Sequence, residues 1–244
     1  MTSSPNIESN ELLIIIPARG GSKGLPGKNS KVLGDIPLLG WTAEAVKRSG
    51  ISYNKCILST DDSEIAEIGK KVGLEVPFLR PQKLASDEAT MESVVIHAVD
   101  WFSSKHGDNL QSVMVLQPTS PFRNPESLNK AVSMLADPDI DGVLGVKHVY
   151  RTLATLFYSK ENMEITPIDV NDKKNTRRQD TSKMFTASGS LYLIRSQVLR
   201  KTNSLFPKRC KGLVCNKIES IDIDDPEDWA ISQVIAKAGL AWRK

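Results

Sequence analysis

Between Ala18 and Asn29 the chain reads Ala18-Arg19-Gly20-Gly21-Ser22-Lys23-Gly24-Leu25-Pro26-Gly27-Lys28-Asn29, three cations and four glycines in twelve residues. That composition suits a polyphosphate. Glycines let backbone N–H groups come close to phosphate oxygens, and Arg19, Lys23 and Lys28 can neutralise a triphosphate. The spacing is not that of a Walker A loop, because Ser22 stands where the first glycine is required and Asn29 follows Lys28 where Ser or Thr is required. A G-x-G-x-x-G dinucleotide fingerprint is absent as well.

A second cluster lies far downstream, at Ser220-Ile221-Asp222-Ile223-Asp224-Asp225-Pro226-Glu227-Asp228. In an extended segment residues two apart share a face, so Ile221 and Ile223 point one way and Asp222 and Asp224 the other. One or two carboxylates plus substrate phosphates is the usual way a protein holds Mg2+; a pair of solvated edge acids is the plainer alternative. Asp225, followed by Pro226 and with Asp228 at the third helical position, reads as a helix cap. Gln117-Pro118-Thr119-Ser120-Pro121-Phe122-Arg123 offers uncharged groups for hydroxyls or amides, or is an ordinary strand-to-helix loop. Arg177-Arg178-Gln179 could grip a carboxylate bidentately or simply be solvated. His97 falls in a helical pattern with Val94, Ala98 and Trp101 and reads as packed, and His106 and His148 have no partner at a telling spacing.

These groups need elements to position them. Leu12–Pro17 is a short apolar run ended by proline, as a buried parallel strand looks, and Lys55–Ser59, Val113–Leu116 and Gly142–Val146 are similar. Asp61 with Glu64 forms a capping box ahead of an Ile65, Ile68, Val72 stripe that Gly73 stops, and Asn124 before Pro125 starts another helix. Alternation of strand and helix predicts an α/β fold with a mainly parallel sheet covered on both faces, its ligands at the carboxyl ends of the strands. The pattern lapses in the polar stretch Ser159–Ser182, then resumes with strands at Ser190–Ile194 and Ile218–Asp224. The expected organisation is a loose tail at 1–10, a core of 11–147 and 188–244, and an inserted element at 148–187.

The chain has 244 residues, 40% hydrophobic and 25% charged, enough for one sizeable core. Its 32 Lys and Arg are interleaved with 29 Asp and Glu, leaving a net charge of only +3 with no basic stripe, so nucleic acid is not an expected partner. Three cysteines without C-x-x-C spacing suggest neither a disulfide framework nor a zinc site, and fit a reducing cytoplasm. No signal peptide or membrane-length apolar run is expected.

Taken together, IPARGGSKGLPGKN, LSTDD, FLRPQKLASD, LQPTSPFR, RRQD and SIDIDDPEDW resemble, in order from Ile14 to Trp229, the N-acylneuraminate cytidylyltransferases, or CMP-sialic acid synthetases. The resemblance implies a Rossmann-like fold of the nucleotide-sugar transferase type and a homodimer whose inserted element reaches the partner's site. It implies the reaction of CTP with a nine-carbon keto sugar acid to give a CMP-sugar and pyrophosphate. By the same resemblance, Arg19, Ser22, Lys23 and Lys28 match the triphosphate loop, Asn29 and Arg80 contact the nucleotide, and Ser86 and Asp87 help shape the cytosine pocket. Gln117 faces the sugar acid with Arg178 near it, and Asp222 and Asp224 bind the catalytic Mg2+. One departure stands out: Ser188-Gly189-Ser190 replaces the Asn-Gly-Ala of many members, which leaves sialic, legionaminic and pseudaminic acids all open. A cytidylyltransferase for the eight-carbon acid Kdo and a non-catalytic nucleotide sensor are the competing readings.

Overall fold

The structure, a computed structural model, describes residues 11–149, 156–159, 161, 163–168 and 183–242. The tail at 1–10 and Arg177, Arg178 and Gln179 lie outside them.

Six strands form the main sheet. They are β1 (Leu12–Pro17), β4 (Lys55–Ser59), β5 (Ser112–Val115), β6 (Gly142–Val149), β9 (Met184–Arg195) and β10 (Cys210–Val214), in the order β10-β6-β9-β5-β1-β4. β1 runs parallel to β4 and β5, and β10 to β6, while β9 lies antiparallel to β5. Alternate residues of β1 feed two cores. Leu12, Ile14 and Ile16 pack with residues of α1 (Leu38–Ser49), α2 (Ser63–Lys71) and α4 (Pro125–Leu135). Leu13 and Ile15 pack with residues of α3 (Met91–His106) and α5 (Ser196–Thr202). Helices thus cover both faces, and a central strand apolar at every position follows from that. A third cluster joins a small hairpin, β2 (Val32–Leu33) with β3 (Ile36–Pro37), to Trp41, Phe122, Ile223 and side chains of α6 (Pro226–Lys237).

Three local expectations need correction. Ile218–Asp224 is not a strand: residues 217–220 form a turn and 221–224 join no ladder. Ile223 N–H donates to Thr119 O at 2.8 Å, and Ile221 and Ile223 still pack into one cluster, so the shared-face argument survives without a sheet. The cap of α2 is Asp62, whose Oδ1 accepts from Glu64 and Ile65 N–H; Asp61 is left for another purpose. β9 begins at Met184, six residues before the apolar run that announced it, because its first residues are largely exposed.

The chain divides into two compact units, one within Met1–Val146 and Ser188–Lys244 and a smaller one within Lys147–Ala187. In the smaller unit β7 (Phe157–Ser159) pairs antiparallel with β8 (Ile165–Pro167), and the His148 and Phe185 rings lie 4.5 Å apart. Among the described residues no helix is long and apolar enough to cross a membrane.

Candidate active site

The glycine-rich loop leaves the carboxyl end of β1 and is tied down at once, Ala18 N–H donating to Ser59 O of β4 at 3.0 Å. Asp61, just beyond β4, accepts Gly20 N–H at 3.2 Å and Arg80 Nη2 at 3.4 Å. It therefore links the loop to the arginine expected on the nucleotide. Arg80 is only 5% exposed, with its Nε unpartnered among the described residues. Burial lowers its pKa, and Asp61 opposes that shift. Asn29 is 4% exposed; its Nδ2 donates to Arg19 O at 3.1 Å while its buried Oδ1 has no partner among the described residues. Buried polar atoms left without partners beside a cavity are where a ligand's own groups would bond.

That cavity, about 500 Å3, is lined by Arg19, Ser22, Lys23, Lys28, Asn29, Arg80, Ser86 and Asp87, with Gln117 and Asp224 also on its wall. The sequence-predicted loop and nucleotide residues are thus brought to one place. Ser86 Oγ donates to Lys83 O, and the Asp87 carboxylate ends on Arg19 and Lys23.

Lys28 crosses to the distant acidic segment, its Nζ 2.7 Å from Ile223 O and 3.2 Å from Asp224 Oδ1. Gly24 is needed beneath that crossing, since a Cβ there would run into the carbonyl oxygen of Asp224. Asp225 Oδ1 accepts Asp228 N–H at 2.8 Å and caps α6, with Pro226 in the first turn.

Asp222 is not part of that cavity's lining and lies against Gly189. A Cβ on Gly189 (φ +77°) would lie 3.0 Å from Gln117 Oε1, 3.2 Å from Asp222 Oδ2 and 3.6 Å from Ser120 Oγ. Three oxygens therefore surround a space kept open by a glycine whose conformation also disfavours a side chain. Ser120 is fully buried, and its Oγ has no partner among the described residues. These three oxygens, one carboxylate, one amide and one hydroxyl, are hard donors of the kind Mg2+ takes, while the Asp224 carboxylate ends on Lys28. Among the described residues no group of three or more His, Cys, Asp or Glu could form a closed metal cage. An ion held here would keep waters or take phosphate oxygens.

Sequence reasoning passed over Arg123. It is 2% exposed and bonds no carboxylate among the described residues; Nε donates to Ser190 O at 2.5 Å, Nη2 to Gln117 O at 2.9 Å and Nη1 to Thr42 Oγ1 at 3.2 Å. Burial pushes its pKa down to about 10, against the opposing pull of Cys215, Asp222 and Glu219, so it stays charged at neutral pH. One guanidinium thereby fastens the Gln117 backbone to β9 beside Gly189. The only advance signal was a cation closing an otherwise uncharged loop. Ser188 and Ser190, the departure noted above, hydrogen-bond each other at 2.7 Å next to Cys215 and against Gly145, away from Gln117.

Comparison with known proteins bears on the family and the fold. Residues 13–224 match the family described as cytidylyltransferase. The chain is 33% identical over 231 residues to a CMP-N,N'-diacetyllegionaminic acid synthase of Legionella pneumophila, spanning 91% of this chain and 94% of that one. It is 29% identical over 225 residues to a pseudaminic acid cytidylyltransferase of Campylobacter jejuni, spanning 92% and 96%. A solved CMP:2-keto-3-deoxy-manno-octonic acid synthetase complexed with CTP superposes with a TM-score of 0.68 over 94% of this chain and all of that one; at 14% identity, that likeness speaks for the fold.

Proposed function

Since the chain belongs to the cytidylyltransferase family, we propose that it transfers CMP from CTP to the anomeric hydroxyl of a sialic-acid-like nine-carbon keto sugar acid, releasing pyrophosphate. The observation that carries this reading is the cavity that gathers three loop cations, two buried nucleotide-facing side chains and the Gln117 wall at one end of the sheet.

In this reaction the anomeric hydroxyl gives up its proton to solvent as its oxygen attacks the α-phosphorus, and an O–P bond forms while the bond from that phosphorus to the β-phosphate bridging oxygen breaks, its electron pair leaving with pyrophosphate. Asn29 and Arg80 hold the nucleoside end, and Arg19, Lys23 and Lys28 take up the charge that grows on the leaving pyrophosphate. Gln117, fixed through its backbone by Arg123, orients the sugar acid over Gly189. Asp222 and Asp224 would hold Mg2+, which when bound supplies charge neutralisation at phosphate and acidifies an attacking hydroxyl. Arg178 is proposed near the sugar on family likeness alone. A two-fold dimer built through the smaller unit is supported by the exposed apolar side chains Phe157, Tyr158, Met163, Ile165 and Phe185, which in a lone subunit would stay in water.

The deciding experiment is pyrophosphate release by purified protein from CTP with a panel of sialic, legionaminic and pseudaminic acids and Kdo, with and without EDTA. Turnover with a nine-carbon acid, lost with EDTA and restored by Mg2+, is expected. Release only with Kdo, or equal rates with UTP in place of CTP, would overturn the assignment.

A further inference from the structure

The loop cations are already paired. Arg19 Nη1 lies 3.0 Å from Asp87 Oδ1 and Lys23 Nζ 2.7 Å from Asp87 Oδ2, so a single carboxylate bridges two of the three. Lys28 is held differently: its side chain is 13% exposed and is fixed by the Ile223 carbonyl. Asp87 sits on an exposed loop between the short 3-10 turn Gln82–Leu84 and α3, its side chain 53% exposed, and has no other hydrogen-bond or ion-pair partner among the described residues. Lys23 first, and then Arg19, hold its carboxyl below the ordinary range. A carboxylate that offers one oxygen to a guanidinium and the other to an ammonium presents what two oxygens of a phosphate would present.

We propose that Asp87 is a built-in stand-in for phosphate: polyphosphate displaces it from Arg19 and Lys23 on binding, and it returns to both cations as pyrophosphate leaves. This rests on the polyphosphate reading of the cavity. Because the cations exchange one set of ion pairs for another, affinity for a polyanion is set by a difference between two similar interactions. Without the stand-in, two uncompensated cations would retain any polyanion, the product included.

The test is calorimetric titration of inorganic pyrophosphate, with EDTA present, into the wild-type protein, Asp87→Asn and Asp87→Glu. Asp87→Asn removes the charge at constant size and is expected to bind about tenfold more tightly at low salt, an advantage that shrinks as salt rises. Asp87→Glu keeps the charge and is expected to stay within about twofold of wild type. In the enzymatic assay, inhibition by added pyrophosphate should tighten for Asp87→Asn by the same factor. A residue needed only for structure would weaken binding when changed. Unchanged or weaker pyrophosphate binding by Asp87→Asn, or no binding by either protein, overturns the proposal. Failure of every sugar acid to support turnover would instead strike at the proposed reaction and leave the titration to decide the role of Asp87.

Discussion

Three aspartates within four residues end on different partners. Asp225 spends its carboxylate on the Asp228 N–H, whereas Asp224 meets Lys28 and Asp222 approaches Gln117 beside Gly189. Asp222→Asn or Asp224→Asn is therefore expected to lower kcat by about two or more orders of magnitude, with partial recovery at higher Mg2+ or Mn2+. Asp225→Asn should leave turnover nearly intact and lower stability by less than about 1 kcal/mol, because asparagine caps as well as aspartate does. Steady-state rates and thermal melts of the three variants check this; an inactive Asp225→Asn beside an active Asp224→Asn would refute it. At this scale the sequence exposed what depends on local spacing: the loop cations, the acid pair, the cap. Pairs that meet across the chain were out of its reach. Asp87 with Arg19 is 68 residues apart and Asp61 with Arg80 is 19, and no local pattern announces either. Asp61 was misread because two adjacent aspartates serve a helix start equally well on paper, and only Asp62 has its oxygen over the first turn.

Among the elements, those buried on both faces were the easiest to foresee. β1 and β4 match the apolar runs residue for residue because no solvent-facing position interrupts them. β10, Cys-Lys-Gly-Leu-Val, went unrecognised: at the sheet edge it has one buried position in five and reads like a loop. The false strand at Ile218–Asp224 arose because alternation reports an extended backbone, not a paired one. β9 has the most local consequence, since Gly189 lies within it at the point where Gln117, Ser120 and Asp222 converge. Gly189→Ala should cost about 1–2 kcal/mol through its positive φ. Its Cβ would also push against Gln117 Oε1 and Asp222 Oδ2, so kcat should fall further than the stability loss explains, by about 10- to 100-fold. A variant with a lowered melting temperature but normal kcat would show that the space over Gly189 does not matter to the reaction.

For the molecule as a whole, Val146 and Ser188, the core residues that flank 147–187, lie on neighbouring strands. β6 and β9 are neighbours, and a Cβ on Gly142 would meet Leu193 O while one on Gly145 would meet Leu191 N and Ser188 Oγ, so the strands run in opposite directions. Replacing 147–187 with a two-residue Asn-Gly turn should therefore leave a core that melts cooperatively and still takes up CTP in a calorimeter. Light scattering should report it as a monomer, and turnover should be lost. An aggregated or unfolded product would show that the core depends on the segment removed. Composition and strand–helix alternation were enough to indicate this α/β layout, whereas the antiparallel insertion of β9 between parallel neighbours was not, because strand direction leaves no mark on an apolar run.

The bond from Lys28 to the Ile223 carbonyl, and the close seat of Gly24 under Asp224, also set an order of events in time. Lys28 and Asp224 are 196 positions apart, so at about 5–20 residues per second a ribosome needs roughly 10–40 s between making one and making the other. During that interval β1 and β4 can already pair and the loop can tie to Ser59, Asp61 and Asp87, but Lys28 has no carbonyl to close against. A growing chain, or one cut short before Ile223, therefore has Lys28 without the carbonyl that seats it, and the last of the three loop cations is fixed late.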